Sequence, residues 1–420
     1  MKQNAKTLIP VFFLWLSSSI FYAHQYMLRV LPSTLRHELI QHYNIQLVDV
    51  AQISSFFFFS YLLSLLFSGY IIQKLGKPMT LLLAVILNQL GIFLFYASNS
   101  LEGVILSEIM FGVSGSFSLN IALSTIKELK LEKNKVLLNA ITLSFGALGI
   151  LIGGWPLESL VDLFDWKITI LLFFTASNLL ILFLCFQYFL LKKTPSLFFA
   201  KAKNIEATNQ PTDKKFKYLS WELWGPTLYG CFQFLPSICF ATVWLVPFAH
   251  LELGAHKMYA AFSPATVYLG ITFGLITNGR ILPKIKNKNK YLICSSIIAC
   301  TASMIIIYFT NIPLIGFFAL LFILGACMST YLVTTSMVQT QTAPHFVSVA
   351  LAINLFFLNV GGFVALVLID LLLKLEYNFF AFGILKSYHF TFVLIPTSFI
   401  IAAIIAGFLP KNNNALSKMK

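Results

Sequence analysis

Six polar residues in the first apolar stretch stand three or four positions apart: Ser18, Tyr22, Gln25, Tyr26, Arg29 and Ser33. At helical pitch this spacing puts them on one face. Two phenols, an amide and a guanidinium on one face are suited to holding a small polar solute, with Arg29 meeting an anionic group. If the helix spans a membrane, Arg29 faces either a bundle interior or, by extending its side chain, the headgroups. His24 lies off the centre of the stripe and is either a packed, hydrogen-bonded residue or a proton carrier. Glu108 lies in another apolar stretch, where a carboxylate must be neutral or paired. Glu108 and His24 are therefore the proton-coupling candidates, and an Arg29–Glu108 ion pair is expected. In the second half of the chain, Tyr229 and Gln233 share one helical face, Thr330 and Thr334 another, and Asn354 lies in a later stretch. These bond either a solute or one another.

Other chemistries lack their residues. There is no GxSxG, P-loop, HExxH or GxGxxG after a strand. The six cysteines fall inside apolar stretches and form no CxxC pair, so neither a disulfide framework nor a metal site is expected. No cofactor is called for.

The elements that must position these residues follow from composition. The chain is 58% hydrophobic and only 10% charged, with 43 phenylalanines and a mean hydropathy of +0.83. A soluble fold of 420 residues cannot hide that much apolar surface, so lipid is the solvent for most of it. Since a spanning helix needs about twenty apolar residues, twelve spans are expected, near 8–35, 51–73, 79–97, 101–125, 136–160, 166–190, 222–249, 259–282, 290–310, 313–338, 346–373 and 388–409. The stretch Leu191–Leu219 interrupts them with seven lysines against Glu206 and Asp213. With both termini inside, 23 Lys and Arg fall on the inner side and five on the outer. That asymmetry fits twelve spans and cytoplasmic termini. The net charge of +14 thus sits in loops facing lipid headgroups, and nucleic acid is not an expected partner. Lys2 and Lys6 before the first apolar run imitate a signal peptide. The run has no clear cleavage site, however, and reads as a retained helix.

The halves echo each other. The offset that carries Gly112 onto Gly325 also carries Gly149 onto Gly362. Gly69-x-x-x-Gln73-Lys74 follows the second span as Gly274-x-x-x-Asn278-Gly279-Arg280 follows the eighth. Such weak internal similarity is what two related six-helix halves leave.

The loop GYIIQKLGKPM resembles the G-x-x-x-D-R-x-G-x-R-R signature of the major facilitator superfamily, with Gly69, Lys74, Gly76 and Lys77 in place and Gln73 where the signature has Asp. SEIMFGVSG is similar to that family's R-x-x-x-G-x-G pattern, with Glu108 in the Arg position and Gly112 in place. Gly146 to Leu157 resembles its glycine-proline motif, and Asp165-Trp166-Lys167 the Gly-Trp-Arg that opens its sixth helix. More narrowly, FYAHQYMLRVLPSTLRHEL with SSFFFFSYLL is similar to phagosomal nutrient transporters of intracellular bacteria and to a lysosomal dipeptide transporter group.

The resemblance implies an all-α polytopic membrane protein of twelve transmembrane helices in two pseudo-symmetric six-helix bundles, residues 1–190 and 220–420. A basic cytoplasmic linker, 191–219, joins them, and the second ends in a short cytoplasmic tail. It implies a monomeric secondary transporter, not an enzyme, in a bacterial inner membrane, in contact with membrane lipids. The expected cargo is an amino acid, small peptide or nucleoside moved by alternating access with a co-transported proton. The rivals are an exporter of drugs or metabolites and a non-transporting receptor or assembly factor. Gly69, Gln73, Lys74, Gly76 and Lys77 are the expected gating loop, its charge lock weakened by Gln73 or carried by neutral hydrogen bonds.

Overall fold

In hydrocarbon a backbone must satisfy its own hydrogen bonds, so a lipid-solvated chain becomes helices. The computed structural model describes residues 2–45, 47–129, 134–191, 220–252, 257–285, 287–309, 312–342, 346–379 and 384–409, and these contain helices and no strand. The linker expected at 191–219 lies outside the described residues but for Leu191.

Helix α1 runs Lys2–Thr34 and α2 Arg36–Tyr43, then come α3 Leu47–Leu75, α4 Lys77–Ala97 and α5 Leu101–Ile126. Next are α6 Lys135–Gly153, α7 Trp155–Leu163 and α8 Trp166–Leu191. The later part holds α9 Trp221–Pro236, α10 Leu245–Glu252, α11 Lys257–Ile281, α12 Lys288–Tyr308 and α13 Leu314–Met328. It ends with α14 Leu332–Gln341, α15 Val347–Phe379, α16 Ile384–Thr391 and α17 Leu394–Phe408. Each of the twelve expected spans coincides with one or more of these helices. Ten helical stretches among the described residues are long and apolar enough to cross a bilayer.

Sequence sets the breaks. Gly76 takes φ +82°, a left-handed conformation open to glycine, and separates α3 from α4. Gly154 followed by Pro156 ends α6 and starts α7. Pro236 lacks an N–H, and the chain beyond it runs as a π-helical stretch, Ser237–Trp244, into α10.

The described chain divides into two compact units. Unit 1 is Met1–Lys135, Phe145–Lys217 and Thr342–Ile353, and unit 2 is Val136–Ser144, Tyr218–Gln341 and Asn354–Lys420. Each unit therefore includes a short segment from the other half of the sequence. In unit 1, α5 packs against α1, α3 and α4, while α8 packs on α1 and α4. Large apolar side chains such as Phe59, Leu63, Phe67, Leu90 and Phe93 are exposed, whereas Ser17, His24, Gln25, Asn88, Glu108, Ser114 and Asn120 are buried. This inverts the soluble pattern, as a lipid solvent requires. In unit 2, α13 packs on α11 and α12, and α17 on α9 and α12.

Candidate functional site

The stripe on α1 is buried from Ser18 to Arg29, and Ser33 is exposed. The Tyr22 and Tyr26 rings meet edge to face at 4.7 Å. Gln25 Nε2 donates to Ser114 Oγ on α5 at 3.3 Å, while Gln25 Oε1 is buried with no hydrogen-bond partner. Arg29 is 6% exposed, so its guanidinium stays inside unit 1 and does not extend to the headgroups. Its central carbon lies 4.4 Å from the Tyr26 ring centroid, 5.6 Å from Phe57, 5.0 Å from Phe58 and 5.1 Å from Tyr61. Four π faces around a cation stabilise it electrostatically where water is scarce.

Glu108 on α5 is 0% exposed, and neither carboxyl oxygen has a hydrogen-bond partner. The expected Arg29–Glu108 ion pair is not formed. The ion pair found among the described residues is Lys77–Glu128 at 2.6 Å. The reason is geometric: α3 crosses α5 at Gly112, where an added Cβ would strike Ser60 and Tyr61. Three of the rings enclosing Arg29, Phe57, Phe58 and Tyr61, come from this part of α3 and the fourth, Tyr26, from α1, and Glu108 lies one helical turn before Gly112. A buried carboxylate with no donor is stable only when neutral.

His24 is fully buried, with Nδ1 2.5 Å from Ser177 Oγ on α8 and Nε2 2.8 Å from Asn88 Oδ1 on α4. Its ring packs on Phe21 and meets Phe174 edge-on at 5.2 Å. Asn178 Nδ2 donates to Asn88 Oδ1 at 3.1 Å and to Gln89 Oε1 at 2.9 Å, and Gln89 Nε2 donates to Thr175 at 2.9 Å. Sequence reasoning missed Asn88, Gln89, Ser114, Thr175, Ser177 and Asn178. The available signal was three amides inside otherwise apolar spans, each needing a partner.

The second-half candidates separate into two groups. Tyr229 and Thr330 share a hydroxyl–hydroxyl bond of 2.9 Å, Gln233 Nε2 donates to the Cys327 carbonyl at 3.0 Å, and Ser296 donates to Gln233 Oε1 at 2.8 Å. Thr334 donates to the Tyr331 carbonyl and lies against Gly230. Asn354 stands apart, donating to Thr227 at 3.2 Å.

Of the gating loop, Gln73 and Lys74 are exposed, Lys77 holds Glu128, and Gly69 meets α15. A Cβ on Gly69 would come within 2.8 Å of the Ser348 carbonyl oxygen, which accepts a hydrogen bond from Asn120 at 3.1 Å. In unit 2, Asn139 donates to Gln339 at 2.8 Å and Ser336 at 3.2 Å. Both contacts are neutral. Among the described residues no three His, Cys, Asp or Glu gather as a metal site would require.

The sequence profile of the Major Facilitator Superfamily matches residues 14–366. The chain belongs to the Major Facilitator Superfamily. It is accordingly a multi-pass membrane transporter, not an enzyme. Its fold is similar to that of FucP, a major facilitator superfamily transporter, in the outward conformation, with TM-score 0.65, 15% identity, and 97% of this chain and 98% of that chain covered. A variant of the Escherichia coli fucose:proton symporter FucP matches with the same figures. At that identity the likeness shows the fold alone. No curated protein matches the sequence.

Proposed function

We propose that this superfamily member is a proton-coupled secondary transporter of a small polar nutrient, with an amino acid first and a small peptide or nucleoside as further members of the class. The observation that carries this reading is Glu108, a fully buried carboxyl group without a hydrogen-bond partner. Such a group changes charge only at high cost, and a proton moved with the solute is what lets it do so. A buried cation on α1 and a buried acid on α5 suit a zwitterion, whose carboxylate and ammonium ends need opposite partners. FucP, whose fold this chain shares, is a fucose:proton symporter, which supports proton coupling by analogy.

The remaining features of this reading rest on sequence. The lysine asymmetry supports an inner-membrane protein with both termini cytoplasmic, and the resemblance to the superfamily implies a monomer working by alternating access. Cysteine at Asn209 is then labelled from the cytoplasm and cysteine at Asn99 from outside. Labelling of both from one side contradicts the topology. For function, the full chain in liposomes with an acidic exterior is screened for uptake of amino acids, dipeptides and nucleosides. The reading expects one class to accumulate in the wild type and to fail to accumulate in Glu108→Gln. Accumulation that ignores the pH gradient overturns it.

A further inference from the structure

Cations at the helix ends are answered differently in the two units. In unit 1, Lys77 at the start of α4 pairs with Glu128 at 2.6 Å, and Lys127 donates to the Thr342 carbonyl oxygen at 3.1 Å. In unit 2, the turn from α11 into α12 carries Arg280, Lys284, Lys288 and Lys290, and the sequence has no acidic residue between Glu252 and Asp370. Arg280, Lys284 and Lys290 are exposed and Lys288 is half-buried. Among the described residues no ion pair involves any of the four. The turn is locally ordered. A 3-10 segment, Leu282–Lys284, follows α11, and the Asn287 side chain accepts from the Lys290 N–H at 3.1 Å to open α12. The start of α12 is also tied to its surroundings. Asn289 donates to the Leu409 carbonyl at 2.9 Å, and Trp221 Nε1 donates to the Phe408 carbonyl at 2.9 Å. The end of α17 therefore holds the starts of α9 and α12 together. Beside the cations, the large apolar side chains Ile281, Trp221 and Phe408 are exposed. Glu222, next to Trp221, is the one acid at these ends.

We propose that the α11–α12 turn of unit 2 is a binding site for an anionic phospholipid, with Arg280, Lys284, Lys288 and Lys290 meeting the phosphate and Ile281 and Trp221 meeting the upper acyl chains. The charge balance favours an anion, since four cations stand against the single acid Glu222. A guanidinium and three ammonium groups supply donors and no acceptor, which suits phosphate oxygens. The apolar neighbours decide which anion. A soluble phosphate or a nucleic acid would leave Ile281 and Trp221 unused, whereas a lipid presents charge and hydrocarbon side by side. The corresponding turn of unit 1 is the internal contrast. There Lys77 is already neutralised by Glu128, and Lys74 is exposed. The site goes beyond the transport reading and does not depend on it.

The test is native mass spectrometry of the full chain released from micelles holding equal phosphatidylglycerol and phosphatidylcholine. The wild type is expected to retain phosphatidylglycerol in preference to phosphatidylcholine. Lys284→Gln, at an exposed position outside the packed core, should lower that preference by up to about fivefold, the usual worth of one cation near an anionic surface. The combined variant Arg280→Gln, Lys284→Gln, Lys288→Gln and Lys290→Gln should lower it by roughly tenfold or more. Lys74→Gln, in the corresponding turn of unit 1, should leave it within about twofold of wild type, since Lys74 stands there without the other three cations. A wild type without preference overturns the proposal. So does a loss in Lys74→Gln equal to that in Lys284→Gln, which would make the preference a property of general surface charge. Inorganic phosphate added in large excess separates the two sources of the anion. Retention of the lipid supports the site, and its displacement shows a site for soluble phosphate and overturns the lipid assignment. No solute or proton gradient enters the measurement, so failure of the transport reading leaves this result intact.

Discussion

The polar cluster around His24 in unit 1 and the one around Tyr229 in unit 2 share three corresponding spans of the two halves. The first joins α1, α4, α5 and α8, and the second joins α9, α12 and α13 through Tyr229, Gln233, Ser296, Cys327 and Thr330. Both are buried, yet their chemistry differs. Unit 1 holds an imidazole in its cluster, with a guanidinium boxed by four rings and a carboxyl group without a donor nearby in sequence. Unit 2 uses amides and hydroxyls, and the Gln233 amide is bonded at both ends. The difference separates two uses of buried polarity. A satisfied neutral cluster fixes helices against one another. Buried ionisable groups are costly and tolerated where charge must change.

Placing a charge in unit 2 tests the comparison most severely. Gln233→Glu sets a carboxylate against the Cys327 carbonyl oxygen, and a loss on the order of 3 kcal/mol is expected in thermal unfolding in detergent at neutral pH. A variant as stable as wild type would mean that unit 2 tolerates charge as unit 1 does.

Removing charge from unit 1 is expected to do the reverse. Arg29→Leu gives up cation–π contacts, about 0.5–2 kcal/mol each by their usual range, but also removes the desolvation cost of a buried cation. Stability should therefore change by less than about 2 kcal/mol, while solute binding measured by scintillation proximity is lost. Binding retained in Arg29→Leu would make Arg29 structural.

Smaller effects sharpen the contrast. Tyr229→Phe removes one hydroxyl partner of Thr330 and should cost about 1 kcal/mol, with no change in the pH profile of uptake. Lys77→Ala breaks a pair whose members are 16% and 51% exposed, and unfolding should move by about 1 kcal/mol or less. A larger loss would show that this pair, and not helix packing alone, holds the start of α4 to the end of α5.

Much of this was legible in the sequence, because lipid imposes a simple code. Apolar length marks the spans, but the spacing of Tyr22, Gln25, Tyr26 and Arg29 singles out no face of α1, because every residue from Phe21 to Arg29 is buried. Gly76 and Pro156 mark breaks. What could not be read is what depends on which helix lies beside which. The run at 54–63 reads as an apolar span, and nothing local says that Phe57, Phe58 and Tyr61 enclose Arg29 and so leave Glu108 without it. The bonds of His24 to Asn88 and Ser177 join residues far apart in the chain, with no periodicity to reveal them. The inclusion of 136–144 in unit 2 and 342–353 in unit 1 is likewise tertiary, set by the close approaches at Gly279 and Gly69.

The transport reading turns on the proposal that Glu108 carries the coupling proton. Its most direct test uses liposomes containing the purified full chain and a trapped pH dye, with the membrane potential clamped and an amino-acid mixture added outside. Solute-induced acidification of the lumen is expected in the wild type. None is expected in Glu108→Gln, which still exchanges labelled for unlabelled solute. Acidification in Glu108→Gln equal to wild type would exclude Glu108 as the proton carrier.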